Sequence, residues 1–111
     1  MKKRIIIQVH GRVQGVFYRQ MAQEVARKLG IGGYADRLPN GGIIIEAEGE
    51  EAHLEIFLRW CRQGPSLSKV EMVTFEHSHE IKNFDIFEVK NTHQKPASFG
   101  FYFYRETQTS I

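Results

Sequence analysis

Residues 11–19, Gly-Arg-Val-Gln-Gly-Val-Phe-Tyr-Arg, place two glycines and two arginines close together. Gly11 and Gly15 have no Cβ, so the backbone at these positions can adopt positive φ and approach an anion closely. Arg19 carries a planar fork of N–H donors that matches a phosphate or a carboxylate. The segment therefore predicts an oxyanion-binding loop, with phosphate as the expected ligand. The alternative is an ordinary glycine-containing turn with a solvated arginine.

The segments on either side of this loop determine where its groups point. The aliphatic run at 5–9 is typical of a strand, and residues 21–29 have the apolar spacing of a helix. A loop between a strand and a helix can direct several backbone N–H groups toward one point at the positive end of the helix. Arg19 is expected in the first helical turn, from which its side chain can reach back to that point.

The remaining chain predicts one α+β domain. Strands at 31–37 and 42–48 are separated by Leu-Pro-Asn-Gly, whose Asn-Gly pair favours a hairpin. An amphipathic helix is expected at 50–63, stopped by Gly-Pro, with further strands at 68–76 and 84–89. The order βαββαβ, followed by a terminal strand-like segment, predicts a split βαβ sandwich, with a four- to five-stranded antiparallel sheet and two helices on one face.

Residues 91–111 are predicted to form a C-terminal extension beyond a domain of residues 1–90. The segment 98–105 is aromatic and strongly β-prone, and free in water it would be an aggregation hazard. It is therefore expected to pack, either as an added edge strand or against a partner chain, including a second copy of this chain. The alternative is that it forms the true last strand, with 84–89 as a longer excursion.

Composition restricts the class of protein. The chain has 111 residues, 41% of them apolar and 25% charged, which is ordinary for one globular domain. The net charge of +2 suits a small anionic ligand and does not require nucleic acid. The single cysteine, Cys61, excludes an intramolecular disulfide and suggests a reducing compartment. No apolar run approaches the roughly 20 residues of a membrane span, and the basic start at 1–4 does not open a signal peptide. We therefore expect a cytoplasmic protein without membrane contacts.

The motifs of this chain resemble those of the acylphosphatase family. The loop at 11–19 matches the family's signature, and the resemblance covers roughly residues 4–90. It continues, in the family's order, through Leu29-Gly30-Ile31, Gly33-Tyr34, Leu38-Pro39-Asn40-Gly41, Glu48-Gly49 and Gly64-Pro65.

The resemblance implies a ferredoxin-like fold and an enzyme that hydrolyses an acyl phosphate to a carboxylate and phosphate. It implies no metal and no cofactor. It also implies that Arg19 is a catalytic residue, and that the phosphate is held by the loop residues Gly11, Arg12, Val13, Gln14, Gly15, Val16 and Phe17 together with Arg19.

One position departs from the family pattern. The alignment of residues 33–41 places Arg37 where the family has the asparagine that orients the attacking water, and Asp36 where it usually has an arginine. An asparagine side chain accepts and donates hydrogen bonds, whereas an arginine side chain only donates. Asn40 is an amide, but it falls in the turn. Arg37 is therefore the second candidate catalytic residue, in a site predicted to hold the anion without the group that orients water.

Three functions remain open from the sequence. The first is a slow acyl phosphate hydrolase. The second is a module that binds phosphate or an acyl phosphate without turning it over, and the third is an interaction protein that acts through its extension.

Other residues that could do chemistry have weaker support. His77 and His79 could bind a metal, but two exposed histidines without a third ligand usually bind none. His10 is expected to end the first strand beside the loop rather than to act as a base. Cys61 falls on the apolar stripe of a helix, which is typical of a core residue and not of a nucleophile.

Overall fold

The computed structural model describes residues 1–92, so the predicted strand at 98–105 lies outside the described residues. The elements follow the order predicted from the sequence. They are β1 (Lys2–Arg12), α1 (Tyr18–Lys28), β2 (Gly32–Arg37), β3 (Ile43–Glu50), α2 (Glu51–Gln63), β4 (Lys69–Ser78) and β5 (Phe87–Val89).

The strands form one sheet in the order β4-β1-β3-β2-β5. β1 pairs antiparallel with β3 and β4, and β2 pairs antiparallel with β3. β5 lies parallel to β2, so the five-stranded sheet is mixed. The ferredoxin-like α+β class is confirmed. The sheet is not antiparallel throughout, as the sequence analysis expected, because β4 and β2 run in opposite directions and the strand that follows β4 returns along β2. β5 is also shorter than the strand predicted at 84–89.

Both helices contribute to one hydrophobic core on one face of the sheet. α1 packs over β2 and β5, and α2 packs over β1, β3 and β4. Tyr18 and Cys61 connect the helices, because the Tyr18 hydroxyl donates a hydrogen bond of 2.6 Å to the Cys61 carbonyl. Burial raises the pKa of the Cys61 thiol to about 12, so this cysteine is a neutral core residue at ordinary pH. The core side chains include Ile5, Ile7, Val9, Ile43, Ile45, Phe57 and Phe87.

The other face of the sheet carries buried charges. Arg4 forms an ion pair of 2.9 Å with Glu46, which also accepts a hydrogen bond of 2.5 Å from the Tyr34 hydroxyl. Burial alone would raise the pKa of Glu46, but these hydrogen bonds and the charge of Arg4 outweigh it, so the pKa lies below its ordinary value. Next to this pair, the Glu48 carboxylate accepts the backbone N–H groups of Lys82 and Phe84. These contacts hold the segment between β4 and β5 against the sheet.

We predict that Gly33→Ala lowers the free energy of unfolding by about 3 kcal/mol or more, the sum of backbone strain and overpacking. Gly33 has φ +141°, and a Cβ there would lie 1.9 Å from the Glu46 carbonyl oxygen on the neighbouring strand. Equilibrium unfolding in urea measures the change. Gly41→Ala is the matched control, because φ at Gly41 is +95° but a Cβ there meets open space. The prediction is wrong if the two variants lose the same stability.

No helix within residues 1–92 combines the length and the apolar character needed to cross a membrane.

Candidate anion-binding site

The loop begins where β1 leaves the sheet. The pairing of β1 with β4 shifts between His10 and Gly11, which is the position of a β-bulge. Gly11 has φ +131°, and a Cβ there would lie 2.1 Å from the Lys69 carbonyl oxygen. Gly11 is therefore required by the close approach of β4. Gly11 and Arg12 still pair with β4 beyond the bulge, and the chain leaves the sheet after Arg12.

The loop ends at Phe17, in a backbone conformation that is rare for a bulky residue. Phe17 has φ 64° and ψ 22°, directly before α1 begins at Tyr18. No side chain of the described residues caps this helix, so its first N–H groups remain available to an anion. A backbone conformation of this kind costs about 1–3 kcal/mol, and residues with such strain are concentrated at functional sites.

Gln14 attaches the loop to the hairpin between β2 and β3. Its side-chain amide donates hydrogen bonds of 3.0 Å to the Leu38 carbonyl and 2.8 Å to the Gly42 carbonyl. The hairpin itself is closed by a bond of 2.8 Å from the Leu38 N–H to the Gly42 carbonyl. Since Arg37 immediately precedes this hairpin, Gln14 brings the end of β2 beside the loop.

The result is a cleft of about 200 Å³, smaller than the roughly 300–1,000 Å³ pockets that hold drug-sized ligands. Two arginines line it, Arg19 on α1 and Arg37 at the end of β2. None of the described residues that line it is an acid, a histidine or a cysteine. The lining residues are Val13, Gln14, Gly15, Phe17, Tyr18, Arg19, Gln20 and Arg37.

The cleft is electropositive. Burial lowers the pKa of Arg19, and the charge of Arg37 lowers it further, while Asp36 acts in the opposite direction. Within residues 1–92, no carboxylate forms an ion pair with Arg19 or Arg37. The hydrogen bond that Arg37 donates to Asp36 comes from its backbone N–H, which leaves its guanidinium without a partner in the described chain. An anion in the cleft would therefore relieve the repulsion between two cations.

Arg19 is held from outside the loop. Its guanidinium Nη1 donates a hydrogen bond to the Lys90 carbonyl, just beyond β5. Lys90 and Thr92, which contact residues of the site, could not be found by sequence reasoning. The sequence analysis identified Asp36 as an acid at a position where the family usually has an arginine. No pattern in the sequence indicated that its carboxylate bonds to Thr92. Gln20 was also missed, because a polar residue on a helix is ordinarily solvated.

The predicted phosphate-binding residues divide into two groups. The structure brings Val13, Gln14, Gly15, Phe17, Arg19 and Arg37 to one cleft, whereas Gly11, Arg12 and Val16 do not line it. Asn40 does not line it either, and its side-chain oxygen accepts the Gly42 N–H within the turn at 2.9 Å. His10 is outside the lining, and the His77 ring lies edge-on to Phe75 with centroids 5.9 Å apart.

These features define a class of protein, a ferredoxin-like α+β sandwich with an arginine-lined cleft at its first strand-to-helix loop. The sequence model of the acylphosphatase family matches residues 5–89, and the chain belongs to this family. It is 44% identical over 86 residues to an acylphosphatase from Thermus thermophilus, which covers 76% of this chain and 98% of that protein. An acylphosphatase from Archaeoglobus fulgidus is 46% identical over 83 residues, covering 75% of this chain and 92% of its own.

The fold agrees with this assignment. The crystal structure of an acylphosphatase from Bacillus subtilis matches with a TM-score of 0.77 at 31% sequence identity. The match covers 81% of this chain and 99% of that one, so the similarity extends over the whole of that protein.

Proposed function

We infer that the protein hydrolyses acyl phosphates, with water attacking phosphorus and a carboxylate leaving. Two observations support this function, membership in the family and the presence of two arginines, Arg19 and Arg37, in the lining of one cleft. The loop N–H groups and the two arginines hold the phosphoryl oxygens and neutralise their charge. Catalysis by positioning and electrostatics is enough for phosphoryl transfer when the leaving group is good.

The observation that carries the proposal is the composition of the cleft lining. Among the described lining residues there is no acid, histidine or cysteine to protonate a leaving group or to act as a nucleophile. Tyr18 does not fill this role, because burial raises the pKa of its hydroxyl and its proton is donated to the Cys61 carbonyl. A carboxylate leaves without protonation because its conjugate acid has a pKa of about 4. An alkoxide does not, so acyl phosphates are favoured over phosphate monoesters.

Arg37 makes the expected reaction slow. The attacking water needs a hydrogen-bond acceptor that fixes its lone pair on the line of attack. The guanidinium of Arg37 has five N–H donors and no acceptor. It strengthens phosphate binding without directing the water. Its contact with the phosphate therefore stabilises the bound substrate as much as the transition state and does not increase kcat.

The experiment is a comparison of benzoyl phosphate with an alkyl monoester, glycerol 2-phosphate, whose hydrolysis is followed by phosphate release. We expect the protein to accelerate loss of the acyl phosphate absorbance above the buffer rate and to leave the monoester unchanged. Equal acceleration of both would contradict the inference, because it requires a general acid that the cleft lining lacks. No acceleration of either by the folded protein would reject hydrolysis.

A second candidate function is binding without turnover. It is favoured by the same Arg37 guanidinium, which has no carboxylate partner within residues 1–92 and adds affinity for phosphate but nothing that activates water. Titration with inorganic phosphate, followed by the amide resonances of residues 13–19, tests it. Saturable shifts without hydrolysis of benzoyl phosphate would establish the binding module in place of the enzyme.

A further inference from the structure

The Asp36 carboxylate is buried at the end of β2 and collects three hydrogen bonds. It is 3% exposed, and alternation along the strand directs it away from the core face that Ala35 occupies. Its Oδ1 accepts the Arg37 N–H at 2.8 Å and the Thr92 N–H at 3.2 Å. Its Oδ2 accepts the Thr92 hydroxyl. Within residues 1–92 no cation forms an ion pair with it, although it interacts with Arg19 through their opposite charges. The three hydrogen bonds are therefore the direct contacts that hold it in place.

The chain that reaches Thr92 is attached to β2 at two further points. The Lys90 N–H donates to the Ala35 carbonyl at 2.8 Å, which extends the pairing of β5 with β2. The Lys90 ammonium lies 4.2 Å from the centroid of the Tyr34 ring, within the range of a cation–π contact. These contacts hold residues 90–92 along β2, as far as the hydrogen bonds between Thr92 and Asp36.

This attachment determines where the Lys90 carbonyl lies, and that carbonyl accepts the hydrogen bond from the Arg19 guanidinium. Asp36 also holds the backbone of Arg37, the second cation of the cleft. Both cations are therefore connected to one carboxylate, Arg37 directly and Arg19 through Thr92 and Lys90.

We propose that Asp36 and Thr92 are positioning residues of the anion cleft, which hold the Lys90 carbonyl where it orients Arg19 toward the bound phosphate. The proposal rests on the proposed function and deepens it, since it assigns to this site two residues that do not line the cleft. Loss of the Thr92 hydroxyl leaves one oxygen of a buried carboxylate without its donor. The segment 90–92 then shifts, and Arg19 loses its fixed orientation.

The test compares Thr92→Val with Thr92→Ser in the full chain. The valine variant keeps the shape of threonine without the hydroxyl, and the serine variant keeps the hydroxyl. For Thr92→Val we expect the Kd for inorganic phosphate and the KM for benzoyl phosphate to rise about five- to tenfold. The value of kcat should change by less than about twofold, because a loosely held arginine weakens ground-state and transition-state binding alike. Thr92→Ser should restore both values to within about twofold of the wild type.

A second readout separates this inference from the proposed function. The Arg19 side-chain Nε–H resonance, recorded without phosphate, should shift in Thr92→Val and return in Thr92→Ser. Thr74→Val on the exposed side of β4 is the matched control and should leave this resonance unchanged. A shifted Arg19 resonance in a protein that does not bind phosphate rejects the function and supports the positioning role. An unchanged Arg19 resonance, or a serine variant that behaves as the valine variant, overturns the positioning role.

Discussion

Replacing Arg37 by asparagine is expected to increase the hydrolysis rate of an acyl phosphate at least about tenfold, which corresponds to about 1.4 kcal/mol of activation free energy. The wild-type cleft contains both Arg19 and Arg37. The side chain of Arg37, at the end of β2, donates hydrogen bonds but cannot accept one from water. The asparagine carbonyl supplies an acceptor at this position, and alignment of the attacking water can contribute orders of magnitude. The kcat for benzoyl phosphate measures the effect.

The same substitution should weaken phosphate binding. Removal of one of two cations from the cleft is expected to raise the Kd for inorganic phosphate by about two- to fivefold, which titration calorimetry would show. Opposite changes in kcat and in affinity cannot arise from partial unfolding, which would lower both. Arg59→Asn, an exposed position on α2, serves as the matched control and should change neither value.

If the wild type already hydrolyses as fast as the Arg37→Asn variant, Arg37 is no handicap and another group orients the water. Asn40 is a poor candidate because it does not line the cleft. Two lining residues, Gln14 and Gln20, carry side-chain carbonyl oxygens. The Gln14 amide is fixed by its hydrogen bonds to the hairpin, whereas Gln20 is exposed on the first turn of α1. Loss of activity in Gln20→Leu or in Gln14→Leu would then identify the acceptor.

Replacing Arg19 by alanine is expected to lower kcat/KM for benzoyl phosphate at least about a hundredfold, or about 2.7 kcal/mol, and to weaken phosphate binding in parallel. Arg19 lines the cleft beside the loop, and charge-assisted bonds to phosphate are among the strongest in proteins. Arg19→Lys should recover only part of the loss, because an ammonium group is a point charge that cannot replace the bidentate fork. Steady-state kinetics on the three proteins measure these differences.

The stability of Arg19→Ala distinguishes a binding role from a structural one. The substitution removes the hydrogen bond to the Lys90 carbonyl but also removes the repulsion that Arg37 exerts on a partly buried cation. These effects oppose each other, so the free energy of unfolding should change by no more than about 1 kcal/mol. A variant that lost several times this stability would show that Arg19 is needed for folding and would remove the basis for interpreting its kinetics.

Sequence reasoning succeeded where local patterns carry the information. The glycine-rich loop, the order of helices and strands and the Asn-Gly hairpin all follow from residue type and spacing over short stretches. The family motifs added the placement of Arg37 at the family's water-orienting position, which stays a prediction. Burial of Cys61 in the apolar stripe of α2 also followed from periodicity.

What the sequence by itself determined is therefore the class of fold and the place of the loop that is proposed to bind an anion, because turns, caps and amphipathic periodicity depend on near neighbours. The tertiary structure decided which distant groups complete the site. Arg19 and Lys90 are separated by 71 positions, and Asp36 and Thr92 by 56. The parallel pairing of the short β5 with β2 is what carries residues 90–92 to the cleft. No local propensity specifies such pairs, since they form only after the sheet has assembled and its edge has placed the chain beside them.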